Sequence, residues 1–100
     1  MTNINEITQE QIDAWKKQFG DVFKVDIDGH IGYLKMPDRK TLSYANTIGD
    51  KDPLKFNEMV LNAAWLGGDE AIKTNDSLFI SVGPALAQII KAKDAELTKL

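Results

Sequence analysis

From residue 8 onward the apolar positions fall into a helical period. Thr8 stands three residues before Gln11, the spacing of a capping box, and Ile7 and Ile12 bracket the cap as a hydrophobic staple. Ile12, Trp15 and Phe19 then share one face, with Glu10, Asp13, Lys16 and Lys17 largely off it, so the pattern predicts a helix from Thr8 to Phe19. Gly20 follows as the left-handed residue that ends it. The period then changes to two. Phe23, Val25 and Ile27 alternate with Lys24 and Asp26, and Asp28-Gly29 is a two-residue turn of the kind that needs positive φ at both positions. The returning strand, His30 to Met36, sets Ile27 opposite His30, Val25 opposite Gly32 and Phe23 opposite Leu34. Leu34 and Met36 therefore share the buried face with Phe23, and Ile31 and Tyr33 lie on the other. Pro37 closes the strand because it cannot donate to a ladder.

The remainder reads as three helices. Asp38 caps the first, which carries Leu42, Ala45 and Ile48 and stops at Gly49. Asp52-Pro53, an N-cap followed by proline at the first helical position, opens the second. That helix has two apolar stripes, Phe56-Met59-Val60-Ala63 and Leu54-Leu61-Trp65, which places it centrally in the core; Gly67-Gly68 stops it. After a polar loop, Asp76 or Ser77 opens the last helix, which bears Leu78, Val82, Leu86, Ile89, Ile90 and Leu97. Gly83-Pro84 should kink or break it, since proline removes a backbone hydrogen bond and clashes with the preceding turn. Helix, hairpin and three helices make an α+β fold with one small sheet. Two strands alone are marginal in water, so the hairpin must lie against helices or against a partner's sheet.

Length and composition set this in one domain, residues 1–100, with residues 1–6 expected to be flexible. A chain of 100 residues with 43% apolar and 27% charged positions has the balance of a single globular domain. The formal charge is −3, and the densest basic spots are Lys16-Lys17, Arg39-Lys40 and the spaced Lys91, Lys93 and Lys99. Phosphate binding needs clustered cations, so no nucleic-acid partner is expected. With no cysteine there is no disulfide, thiolate metal site or cysteine nucleophile. Met1 to Glu6 lacks the basic and apolar regions of a secretory signal, and no apolar run approaches the roughly 18 residues of a membrane span. The expectation is a cytoplasmic protein with no membrane partner.

Motifs that carry chemistry are wanting. His30 is the only histidine, next to a hairpin turn, where a polar residue needs no function. Asp26-Ile27-Asp28-Gly29 resembles part of a calcium loop, but the register puts Lys24 and Lys35 where oxygen ligands are required. Asp50, Asp52, Asp69, Glu70 and Asp76 read as solvated loop charges or helix caps rather than a paired-carboxylate or magnesium site. Gly67-Gly68 lacks the Lys-Ser/Thr of a phosphate loop, and Gly29 and Gly32 lack the third glycine of a dinucleotide fingerprint. The expectation is no enzyme, no catalytic or metal-binding residues and no cofactor. What the chain has in excess is large apolar side chains. Trp65, Leu66 and Phe79 flank the loop between the last two long helices and need not all turn inward, so they are the candidate partner-binding residues, for a protein partner or a homo-oligomer.

Tyr33-Leu34-Lys35-Met36-Pro37-Asp38-Arg39, a strand ending in an aromatic, a basic residue, proline and arginine before a helix, resembles the small tail assembly chaperones of long-tailed bacteriophages. The resemblance continues through Asp52-Pro53-Leu54-Lys55-Phe56-Asn57-Glu58-Met59-Val60-Leu61 and the loop Ala64-Trp65-Leu66-Gly67-Gly68-Asp69. It covers about residues 22 to 98 as an order of elements; the helix from Thr8 to Phe19 has no counterpart. It implies a non-enzymatic phage or prophage protein in the cytoplasm of a bacterial host. Such a protein holds a tape-measure protein soluble while tail-tube subunits polymerise around it. Two other classes stand beside it: a structural or regulatory protein-binding domain with a different partner and, more remotely, a small enzyme working with carboxylates alone.

Overall fold

The computed structural model describes residues 7–90 and 95–100, so the expectation for residues 1–6 lies outside the described residues. The fold is α+β, and the described residues form five helices and a three-stranded antiparallel sheet. In chain order the elements are α1 (Gln9–Phe19), β1 (Val22–Ile27), β2 (His30–Lys35), α2 (Arg39–Gly49), α3 (Pro53–Ala64), β3 (Trp65–Gly68), α4 (Ala71–Thr74) and α5 (Asp76–Ile90).

Helix starts follow the capping residues closely. Thr8 accepts from the Gln11 amide at 3.2 Å while the Gln11 side chain accepts from the Thr8 amide at 3.1 Å, completing the capping box. Asp38 accepts from the Thr41 amide at 2.7 Å and Asp52 from the Lys55 amide at 3.1 Å, each satisfying a donor that the first helical turn leaves free. Gly20 does end α1, but with φ 86° and ψ −115° it lies outside the left-handed helical basin expected for it.

The hairpin has the register expected of a two-residue loop: Ile27 pairs with His30, Val25 with Gly32 and Phe23 with Leu34. Asp28 and Gly29 take φ 52° and 87°, and the Asp26 carboxylate accepts from the Gly29 amide at 3.0 Å. Gly29→Val should therefore destabilise the protein by about 1 kcal/mol or more, because a β-branched residue is strained at that φ. The shift in the urea midpoint measures it, and an unchanged midpoint would mean that the turn relaxes without cost.

The structure departs from the sequence reading in several places. Four helices follow the hairpin rather than three, because the stretch read as a polar loop holds the short α4, anchored by buried Ile72. Trp65 leaves α3 and begins β3, which adds to the free edge of β2 through Leu34–Trp65, Tyr33–Gly67 and Gly32–Gly68, with Leu66 as the extra residue of a bulge. The hairpin thus finds its third strand within its own chain. At Gly83-Pro84, of the two outcomes anticipated, a break does not occur: α5 runs from Asp76 to Ile90. Buried Leu78 and Val82 before the proline and Leu86 and Ile89 after it hold both halves against the core, and this burial outweighs a proline cost of about 3 kcal/mol. Met36 lies past the end of β2 and is exposed rather than sharing the buried face with Leu34, and Leu97 lies beyond α5, almost fully exposed.

The two faces of the sheet are covered unequally. On one, Leu34 joins Ala45, Val60, Leu61, Ala64, Ile72, Val82, Leu86 and Ile89 in a single core between the sheet and α2–α5. On the other lies α1. Trp15 packs on Tyr33 with ring centroids 6.0 Å apart, and the Lys35 ammonium sits 4.4 Å from the centre of the Phe19 ring. No residue of α1 is fully buried, so this helix contributes much less apolar burial than α3 or α5.

Candidate protein-docking groove

The converging starts of α3 and α5 leave an open groove of about 480 Å³ on the helical side. Leu54, on the first turn of α3, and Ile80, on the second turn of α5, are 52% and 59% exposed, and half-buried Phe79 lies between them and the core. Leu54 was expected to continue a buried stripe. It does not, because α3 packs on α2, α5 and β2 through Val60, Leu61 and Ala64, and its first turn projects past them.

Around this apolar floor stand Asp52, Lys55, Glu58, Lys73 and Asp76. Lys55 reaches Glu58 at 3.6 Å, and Lys73 pairs with Glu70 at 2.8 Å while lying 5.0 Å from the centre of the Trp65 ring. Asp52 is engaged with the Lys55 amide, and among the described residues neither it nor Asp76 has a cation within ion-pair distance. The groove is open to solvent along its length, with an apolar floor and a charged rim, the layout of a protein-recognition surface.

Of the three candidate partner-binding residues, the structure brings Phe79 to this groove. Trp65 stands nearby on the core face of the sheet. Its ring fills the space beside Gly32 and Ile72, and a methyl group built on Gly32 would come within 2.9 Å of it. Leu66 is half-buried at the β3 bulge, away from the residues that line the groove. Leu54 and Ile80 were missed as surface residues, because helical spacing alone does not say which stripe a neighbouring helix covers.

A second polar constellation lies at the hairpin end of the sheet. His30 Nδ1 meets Asp69 Oδ2 at 2.6 Å, with the two side chains 41% and 27% exposed. The other Asp69 oxygen accepts from the Ala71 amide at 2.9 Å, and the Asp69 amide donates to the Ile31 carbonyl at 2.8 Å. Asp69 therefore ties the β3–α4 corner to β2 across 39 residues, a pairing with no sequence signal. Neither residue lines the groove, and among the described residues no group of three or more histidine and carboxylate side chains is placed to hold a metal. The hydrogen bond from His30, then that from the Ala71 amide, holds the Asp69 carboxyl below its ordinary value of 3.8. Hydrogen bonding by the Thr41 side chain and amide does the same for Asp38. A carboxyl depressed in the folded state adds stability that is fully present above the unfolded pKa and is lost as pH falls through the folded one. Asp69→Asn should thus lower stability at neutral pH and make the loss of thermal stability below pH 3.8 shallower than in the wild type. Parallel acid titrations of Tm would refute this.

No helix among the described residues is long and apolar enough to cross a membrane. No family model matches the chain, and no curated protein matches it. Among solved structures, that of an uncharacterised protein from Bacillus stearothermophilus is similar over 88% of this chain and 99% of its own, with a TM-score of 0.59 and 17% identity. The likeness is one of fold: the same arrangement of helices and sheet serves another sequence almost end to end.

Proposed function

We propose that this chain is a non-enzymatic, protein-binding domain of the phage tail-assembly chaperone type, which keeps a tape-measure protein soluble while the tail tube assembles. The observation that supports this is the groove at the start of α3 and α5, where Leu54 and Ile80 lie more than half exposed beside Phe79. Tape-measure proteins are long, and their apolar helices need cover before the tube closes around them. An amphipathic helix laid in such a groove buries its apolar stripe against the floor and sets polar flanks beside the charged rim. The resemblance carried by Tyr33–Arg39, Asp52–Leu61 and Ala64–Asp69 supports the same reading.

Co-expression tests it. The wild-type chain should raise the soluble fraction of the tape-measure protein encoded beside it, and the pair Leu54→Asp and Ile80→Asp should abolish that effect. Both positions are on the surface, where substitutions cost about 0.5 kcal/mol or less, so the variant should stay folded. A folded variant that solubilises as well as the wild type would refute the reading.

A further inference from the structure

We infer that the free edge of β1 is a dimer seam, where β1 of a second copy of this chain adds antiparallel and joins the two sheets into one. The strand order β1-β2-β3 gives β1 a single neighbour, and among the described residues no strand lies on its other side. Asp28 and Gly29, both at positive φ, close a two-residue turn, so Ile27 and His30 form the first hydrogen-bonded pair of the ladder. Bonding alternates along an antiparallel pair, so Val25 and Phe23 also aim their amides and carbonyls at β2. Val22, Lys24 and Asp26 aim theirs outward. Such an edge is a template for another strand unless something blunts it, and β1 has neither a proline nor a bulge in its pairing with β2.

The side chains choose the partner and the register. A second β1 bonds only where outward-aimed residues stand opposite one another. Centring the seam on Lys24 or on Asp26 sets like charges face to face, which is destabilising, and centring it nearer either end shortens it. Centred on Val25, the seam sets Lys24 of each copy opposite Asp26 of the other. Both residues are exposed, and among the described residues neither has an ion-pair partner in its own chain. On the core face the same register sets Val25 against Val25 and Phe23 against Ile27. These three are only half-buried in the single chain. An open cleft of about 290 Å³, lined by Phe23, Val25, Ala85 and Ile89, separates β1 from α5. Closing the seam therefore covers apolar surface that one chain alone leaves wet. Val22–Ile27 is complementary to its own reverse in charge and in apolar pattern alike. The seam lies apart from the groove at the start of α3 and α5, none of whose lining residues belongs to β1.

Sedimentation velocity on the full chain, from low micromolar to millimolar concentration, tests this. The wild type should pass from monomer to dimer and no further. Lys24→Glu places like charges at both ion pairs, and Asp26→Lys does the same with the sign reversed, so each alone should weaken dimerisation roughly tenfold. An equimolar mixture of the two variants restores opposite charges at both pairs and should dimerise as the wild type does. Asp26→Lys also removes an exposed bond to the Gly29 amide, so circular dichroism checks its fold; if the turn gives way, Lys24→Glu carries the test. Hydrogen exchange at the Lys24 and Asp26 amides should slow as the wild-type concentration rises, while Phe23 and Val25 stay protected throughout. The dimer should persist in the pair Leu54→Asp and Ile80→Asp. A wild type monomeric throughout, a Lys24→Glu variant that dimerises undiminished, two folded variants whose mixture stays weak, or a dimer lost with the groove pair would overturn the inference.

Discussion

Gly68→Ala should be among the most damaging single-methyl changes available in this chain, costing about 2–6 kcal/mol. Gly68 has φ 122°, a region costly for any residue with a side chain, at about 1–3 kcal/mol. It also pairs with Gly32 across the β2–β3 seam. A β-carbon built there would overlap the Ile31 carbonyl oxygen and sit 2.8 Å from the Gly32 Cα. These are backbone atoms that cannot swing aside as a side chain would, so overpacking adds about 1–3 kcal/mol. Relief requires β3 to move from β2, which also pulls Asp69 from His30 and from the Ile31 carbonyl. Against a total stability of about 5–15 kcal/mol, the loss should appear as a large drop in the urea midpoint. A midpoint within error of the wild type would mean that β3 is not bound as described.

Leu34→Ala should cost about 2–5 kcal/mol, the range for a large-to-small change in a filled core. Leu34 is wholly buried on the central strand, flanked across the sheet by Phe23 and Trp65 and covered by the helical layer. Its neighbours belong to two strands and several helices, so the space cannot close by one side chain turning. Met36→Ala, two residues on, is the control: Met36 is exposed, and its loss should stay within about 0.5 kcal/mol. Equal losses in the two variants would reverse the assignment of the buried face.

The parts legible in the sequence are those fixed by neighbours in the chain. Thr8, Asp38 and Asp52 mark helix starts because a cap acts on amides two or three residues away, and Asp28-Gly29 sets the hairpin register because a two-residue turn has few geometries. β3 escaped because Trp65-Leu66-Gly67-Gly68 has no alternation and exists as a strand only through its pairing with β2. Asn75, which accepts from the Leu78 amide at 3.1 Å, could have been found as the cap of α5 by its three-residue spacing. The His30–Asp69 pair could not, since only the folded chain brings the two together. The candidate surface was half legible. An excess of apolar side chains between α3 and α5 pointed to Phe79, but Leu54 and Ile80 emerge only once the packing of α3 against α2 and α5 shows which turns project.

The central claim, that the groove between the starts of α3 and α5 is a protein-docking surface, is most directly tested by amide chemical-shift mapping. The isotope-labelled chain would be titrated with an amphipathic, apolar-faced helical peptide. Saturable shifts should cluster at Leu54, Lys55, Lys73, Phe79 and Ile80, with α1 and the Asp28-Gly29 turn unmoved. Shifts centred on α1 and the sheet face beneath it, or none at millimolar peptide, would contradict the account.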